Sequence, residues 1–166
     1  MTDTTRSRHT ATFEGITFGV STPQDAFELV VAAGKRVRIR RAALHQYSDF
    51  ADAQAEILPV SIVRGYTTSG SGGASVTPVN TKSDGPAASS TIERNNTTLA
   101  SGGTAEVLAA EGWNVAAGWV WEPTEKESEP EQSWLVAGDR VVIRVGGAND
   151  ALTVNGSLTF DEEGVM

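Results

Sequence analysis

The chain has no cysteine and only two histidines among 166 residues. Without cysteine there are no disulfides, no thiolate nucleophile and no zinc–thiolate site, which suits a protein made in a reducing cytoplasm. His9 and His45 are the only imidazoles available for acid–base work. His9 falls in a polar N-terminal stretch. His45 stands so close to Ser48 and Asp49 that a strand would send the three to different faces, and it reads as a partly exposed structural histidine. There is no Gly-x-Ser-x-Gly elbow, no Gly-x-x-x-x-Gly-Lys-Ser/Thr loop, and no Asp/Asn-rich loop with a central Gly and a terminal Glu. No catalytic residue, cofactor site or metal ligand is therefore assigned, and an enzyme is not expected.

Long apolar runs are also missing. The first fifteen residues lack the apolar stretch of a signal peptide, and nothing later approaches the ~20 apolar residues of a membrane span. Neither export by that route nor membrane insertion is expected, and the Asn-x-Ser/Thr sequons at Asn95, Asn96 and Asn155 read as chance. Positive charge is in deficit as well: 13 Lys and Arg against 21 Asp and Glu give a formal charge of −8. Phosphate-rich partners are repelled over most of such a surface, so nucleic acid is not an expected partner.

Short alternating segments are what remains. Phe13, Ile16, Phe18 and Val20 give an approximate period of two broken at Gly15, which predicts a strand with a bulge. Ala26–Val31 is rich in strand formers, although Thr22 and Pro23 would also suit the start of a short helix. In Lys35–Arg41, Val37 and Ile39 point one way while Arg36, Arg38 and Arg40 point the other. Strands follow over Gln54–Tyr66, with Pro59 expected at an edge or bulge. The aromatic set Trp113, Trp119 and Trp121 shares one parity, Arg140–Val145 is a further strand, and Asn155-Gly156 suggests a tight hairpin turn near the end.

Residues 67–104 are dense in Ser, Thr, Gly and Asn, with strand-like islands at Ser75–Asn80 and Ser90–Arg94, and read as an extended, loop-rich arm. The pattern predicts an all-β, antiparallel sandwich or jelly-roll-like fold of eight to ten strands. Residues 13–163 form one domain, 1–12 a flexible polar arm and 164–166 a short tail.

Charged and aromatic clusters each have two readings. The Arg36–Arg41 strand is either an outer face balanced by neighbouring carboxylates or a docking patch for an acidic protein surface. Glu122–Glu131 and Asp161–Glu163 read as solvated acidic segments. The tryptophans, including Trp134, supply core or interface volume, or else Trp119 and Trp121 form a sugar-stacking platform. Ser69–Gly73 is a flexible loop.

Taken in order, Gly65–Gly73, Val76-Thr77-Pro78-Val79, Ala87-Ala88, Asn96-Thr97-Thr98, Gly102-Gly103-Thr104, Trp113-Asn114-Val115, Leu135-Val136 and Val154–Glu163 resemble a group of small tailed-bacteriophage virion proteins. The resemblance covers about two-thirds of the chain, through loosely spaced motifs. It implies a non-catalytic decoration or cement protein on the capsid surface, commonly trimeric, with the major capsid protein as partner. It also implies arms, residues 67–104 and 1–12, that reach neighbouring subunits. A tail or baseplate protein and a carbohydrate-binding module are the alternatives. The residues expected at a capsid or subunit interface are Arg36, Arg38, Arg40, Arg41, Tyr66, Ser75, Val76, Val79, Trp119 and Trp121.

Overall fold

The computed structural model describes residues 6–48, 56–123 and 135–165. They form twelve strands and no helix: β1 Ser7–Phe18, β2 Gln24–Val30, β3 Lys35–Gln46, β4 Ile57–Arg64, β5 Ala74–Val76, β6 Val79–Asn80, β7 Thr91–Asn96, β8 Glu106–Asn114, β9 Trp119–Trp121, β10 Leu135–Val136, β11 Arg140–Val145 and β12 Leu152–Gly164. Two antiparallel sheets pack face to face as a sandwich. Sheet I runs β10-β3-β12-β1-β6, with β9 also on β3; sheet II runs β5-β7-β2-β11-β4-β8. Alternation explains the core. Ala11, Phe13 and Phe18 of β1, Leu158 and Phe160 of β12, Phe27 and Leu29 of β2, and Val141 and Ile143 of β11 point inward and are buried. Phe13 meets Phe27 across the sheets, with ring centroids 5.0 Å apart.

Of four register shifts in the described ladders, three keep the apolar set inside where strict alternation would turn it out. In β1 the register shifts between Phe13 and Ile16, with Gly15 at φ +64° and its N–H donating to Asn155 Oδ1 at 2.9 Å. This is the bulge that the broken period at Gly15 predicts. In β3 the extra residue is Arg40: Ile39 pairs Phe160 and Arg41 pairs Thr159, so Val37 and Ile39 lie in the core and so do Ala42 and Leu44. In β2 the shift falls at Ala26, between Phe27 opposite Ile143 and Asp25 opposite Arg144. Asp25 and Glu28 stand an odd number of residues apart, and this shift brings both to the outer face.

Several expectations are corrected. Residues 7–12 are not an arm but half of β1, paired to β12. The C-terminal tail is also tied down: Gly164 belongs to β12 and the Val165 N–H donates to Gly34. Asn155-Gly156 makes no hairpin, because it lies inside a continuous 13-residue strand and Asn155 faces the Gly15 bulge. Residues 24–30 are strand, the first of the two readings of that segment, and the alternative of a short helix falls. Pro59 sits neither at a sheet edge nor at a bulge. It lies one residue beyond the end of the β11 ladder, where its carbonyl accepts the Gly146 N–H at 2.8 Å.

Residues 67–104 do not extend away from the body. The two strand-like islands become β5, β6 and β7, which join both sheets, and the flanking loops fold back over sheet II. Asp49, Gln54, Trp134 and most of the acidic Glu122–Glu131 segment lie outside the described residues.

Candidate functional site

The loops on either side of β5–β7 cross the outer face of sheet II. They are joined to each other by bridges between Thr68 and Ser101 and between Ser71 and Thr98. At their base Gly65 (φ +91°) and Gly103 (φ +67°) approach so closely that a Cβ on Gly65 would collide with the Thr104 carbonyl, and one on Gly103 with the Gly65 carbonyl. Both positions need glycine for space as well as for φ. Beneath these loops lie two carboxylates that are 0% and 1% exposed, Asp25 and Glu28. Glu28 accepts from Ser69 Oγ (2.5 Å), the Gly70 N–H (2.9 Å), Asn96 Nδ2 (2.9 Å) and Arg140 Nε (2.6 Å). Asp25 accepts from the Ala100 N–H (2.8 Å) and from Arg144 through Nε (2.7 Å) and a second nitrogen (3.0 Å).

Arg144 completes the network by donating to the Tyr66 hydroxyl (2.8 Å) and the Ala100 carbonyl (3.0 Å). Its guanidinium also lies 4.9 Å from the Tyr66 ring centroid. Burial alone would lower the Arg144 pKa, but the Asp25 carboxylate and Tyr66 outweigh it and hold the pKa above the usual arginine value. Val63, Ala100 and Val142 form a small apolar layer beside the network, with Tyr66 against it. This is a roof fastened from below, and the carboxylate oxygens of Asp25 and Glu28 are all taken up in fastening it.

Sheet I carries a second cluster on its outer face. Asp161, 1% exposed, receives Arg6 (2.8 Å), Arg8 (2.8 Å) and Arg40 (2.6 Å). Arg36 pairs with Glu163, and Arg41 lies 3.3 Å from Glu122. The arginine strand is thus balanced by carboxylates, the first of its two sequence readings. Asp161 is the buried centre of the cluster and not part of a solvated tail. The neighbouring residue Glu162 points the other way, into the sandwich. Burial pushes its pKa up, but the Ser90 side chain, the Ser89 and Ser90 N–H groups and Lys35 outweigh that and hold it below the ordinary value.

The ten residues expected at an interface do not form one surface. Arg38 and Trp119 are 5% exposed each and cannot be primary contacts. Trp119 packs in the core and donates from Nε1 to Glu111 at 2.8 Å, while Trp121 packs against the core. The shared parity of the tryptophans breaks at the turn after β8, which puts Trp113 in sheet II and Trp119 in sheet I. The sugar platform is corrected on the same ground. Tyr66 belongs to the roof, and Val76 packs against the core. Ser75 on β5 and Val79 on β6 are exposed on one flank, and Val79 is 69% exposed. Arg36, Arg40 and Arg41 stay together on sheet I. His45 is exposed, and Ser48 Oγ accepts the Thr153 N–H at 2.8 Å, so no hydrolytic pairing forms between them. Among the described residues no group of three or more His, Cys, Asp or Glu is placed to hold a metal ion.

Sequence reasoning missed Asp25, Glu28 and the burial of His9. Asp25 and Glu28 stand in an apolar strand that faces Arg140 and Arg144 of another, and that pairing was the available signal.

No protein-family model matches the chain, and no curated protein matches it. Among solved structures, a D431N mutant VP2 protein of infectious bursal disease virus, from derived T=1 particles, aligns with 9% identity and a TM-score of 0.24. The alignment covers 96% of this chain and 40% of that one, so this chain spans well under half of the VP2 chain, and the likeness is too slight to assign a shared fold.

Proposed function

We propose that this chain is a non-enzymatic virion structural protein: a decoration or cement protein bound to the outside of a tailed-phage head, where it stabilises the shell. The sequence resemblance supports the phage assignment. The observation that carries the structural role is the use made of the buried acids. Asp25 and Glu28 fasten the roof, Asp161 gathers three arginines, and Glu162 holds the Ser89–Ser90 backbone. Charge buried at this cost fixes loops to a rigid body, which serves binding through a preformed surface.

The partner is the major capsid protein, and the working form is a homo-oligomer, with a trimer favoured. Contacts are assigned to the exposed part of the sheet I outer face, with Arg41 and Thr12, and to the flank bearing Ser75 and Val79. Localisation on purified particles tests the reading directly. Electron microscopy of virions carrying a tagged copy should show added density on the head lattice. Density confined to the tail or baseplate overturns the decoration role.

A further inference from the structure

His9 alternates with Ala11 and Phe13 on the inner side of β1 and is 0% exposed. Its ring stacks on Phe160 at 5.5 Å with an interplanar angle of 29°, and Nε2 lies 2.8 Å from Ser7 Oγ. Nδ1 has no hydrogen-bond partner. The charged groups that act on the imidazole are Glu162 of β12 and Lys35 of β3, with Asp161 acting from the opposite face of sheet I; β6 brings only the neutral Asn80 opposite it.

Two attachments of the 79–90 segment meet in this layer. At one end β6 pairs with β1 through Asn80 opposite His9 and Val79 opposite Thr10, and Thr81 donates to the Arg8 carbonyl from its N–H (2.9 Å) and hydroxyl (3.3 Å). At the other end the Ser89 and Ser90 N–H groups donate to Glu162 at 2.9 and 2.8 Å. Glu162 stands opposite Ser7, the residue that holds His9. Between the attachments, residues 81–88 are mostly exposed, irregular chain.

We propose that residues 79–90 form an acid-released flap, closed onto the sandwich while the imidazole of His9 is neutral and let go when it takes up a proton. A neutral ring needs only the Ser7 contact. An imidazolium presents a second N–H donor at Nδ1, which meets no acceptor, and a buried donor or charge in that position is costly. The least expensive relief is to admit water at the weakest cover, the two-residue strand β6. Burial is the main influence on His9 and lowers its pKa; Glu162 and Asp161 oppose this without reversing it, and Lys35 adds to the lowering. The sign follows from linkage. The open form binds the proton at the ordinary value near 6.5, so closure is fully supported above about pH 6.5 and weakens as pH falls toward the lowered value. Glu162, also lowered, keeps its charge through that window and fails only in stronger acid. The inference does not depend on the virion reading.

Amide hydrogen exchange on the full chain at pH 7.5 and 5.5, corrected for intrinsic rates, tests it. Protection over 79–90 should fall at the lower pH, by up to about tenfold for a single proton taken up near 6.5, while β4 and β11 keep theirs. The fall should share its midpoint with the His9 ring resonances, and it should vanish in His9→Phe. Unchanged protection in the wild type, or an equal fall in His9→Phe, overturns the proposal. If that variant does not fold, a His9 ring titration that misses the exchange midpoint overturns it alone.

Discussion

The two outer faces of the sandwich use the same chemistry to different ends. On sheet II, Asp25 and Glu28 are matched one to one by Arg144 and Arg140, whose side chains are only 20% and 13% exposed. Backbone N–H groups of the covering loops complete the carboxylate shells. On sheet I a single buried carboxylate, Asp161, receives three arginines, and Arg6 and Arg8 remain 43% and 49% exposed. Covered pairs interact through a poorly screening medium, whereas half-exposed guanidiniums are screened by water and salt. The first cluster fastens the chain to itself; the second faces outward.

The largest way to break this contrast is to remove an acid under the roof. Glu28→Ala leaves Arg140 covered without its carboxylate and unfastens Ser69, Gly70 and Asn96 together. The expected cost is about 3–5 kcal/mol, the usual penalty for orphaning one member of a buried pair. It is read from the urea unfolding midpoint, with new proteolytic cleavage in residues 65–73. A loss below about 1 kcal/mol would mean that the loops hold without the acid, and would dissolve the distinction.

Asp161→Ala should cost less, about 1–3 kcal/mol, because two of its three arginines already reach water. Salt separates the clusters. The variant leaves several guanidiniums near one another, so 0.5 M NaCl should recover part of the Asp161→Ala loss and little of the Glu28→Ala loss. Equal recovery in both variants would show that the roof does not exclude solvent.

The fold was legible in the sequence where side chains alternate simply. The β1 bulge could be read from Gly15 because a break in period beside a glycine is a local signal. The β2 and β3 bulges were not legible, since Ala26 and Arg40 look like ordinary strand residues and only the partner strand reveals the shift. The same limit hid the site. Ser- and Gly-rich residues 67–104 look like an arm because small polar residues suit both a free loop and a close-packed roof. What decides between them is a pair of carboxylates 41 to 75 residues earlier, on β2. Asn155-Gly156 misled for the opposite reason: a strong local turn signal was overridden by pairing on both sides of β12.

The smallest expected effect sharpens the comparison most. Arg41 belongs to the same cationic strand as Arg40, but its side chain is 40% exposed and its partner Glu122 is 64% exposed. An ion pair of that kind contributes about 0–1 kcal/mol, so Arg41→Ala should move the unfolding midpoint little or not at all. If it nevertheless weakens co-sedimentation of the purified protein with particles that lack it, Arg41 acts between molecules and not within one. Arg140→Ala should give the opposite profile, with stability lost first and binding lost only as a consequence. If the two variants proved alike in both measurements, exposure would not be what separates the faces, and the assignment of sheet I as the outward-working surface would fall.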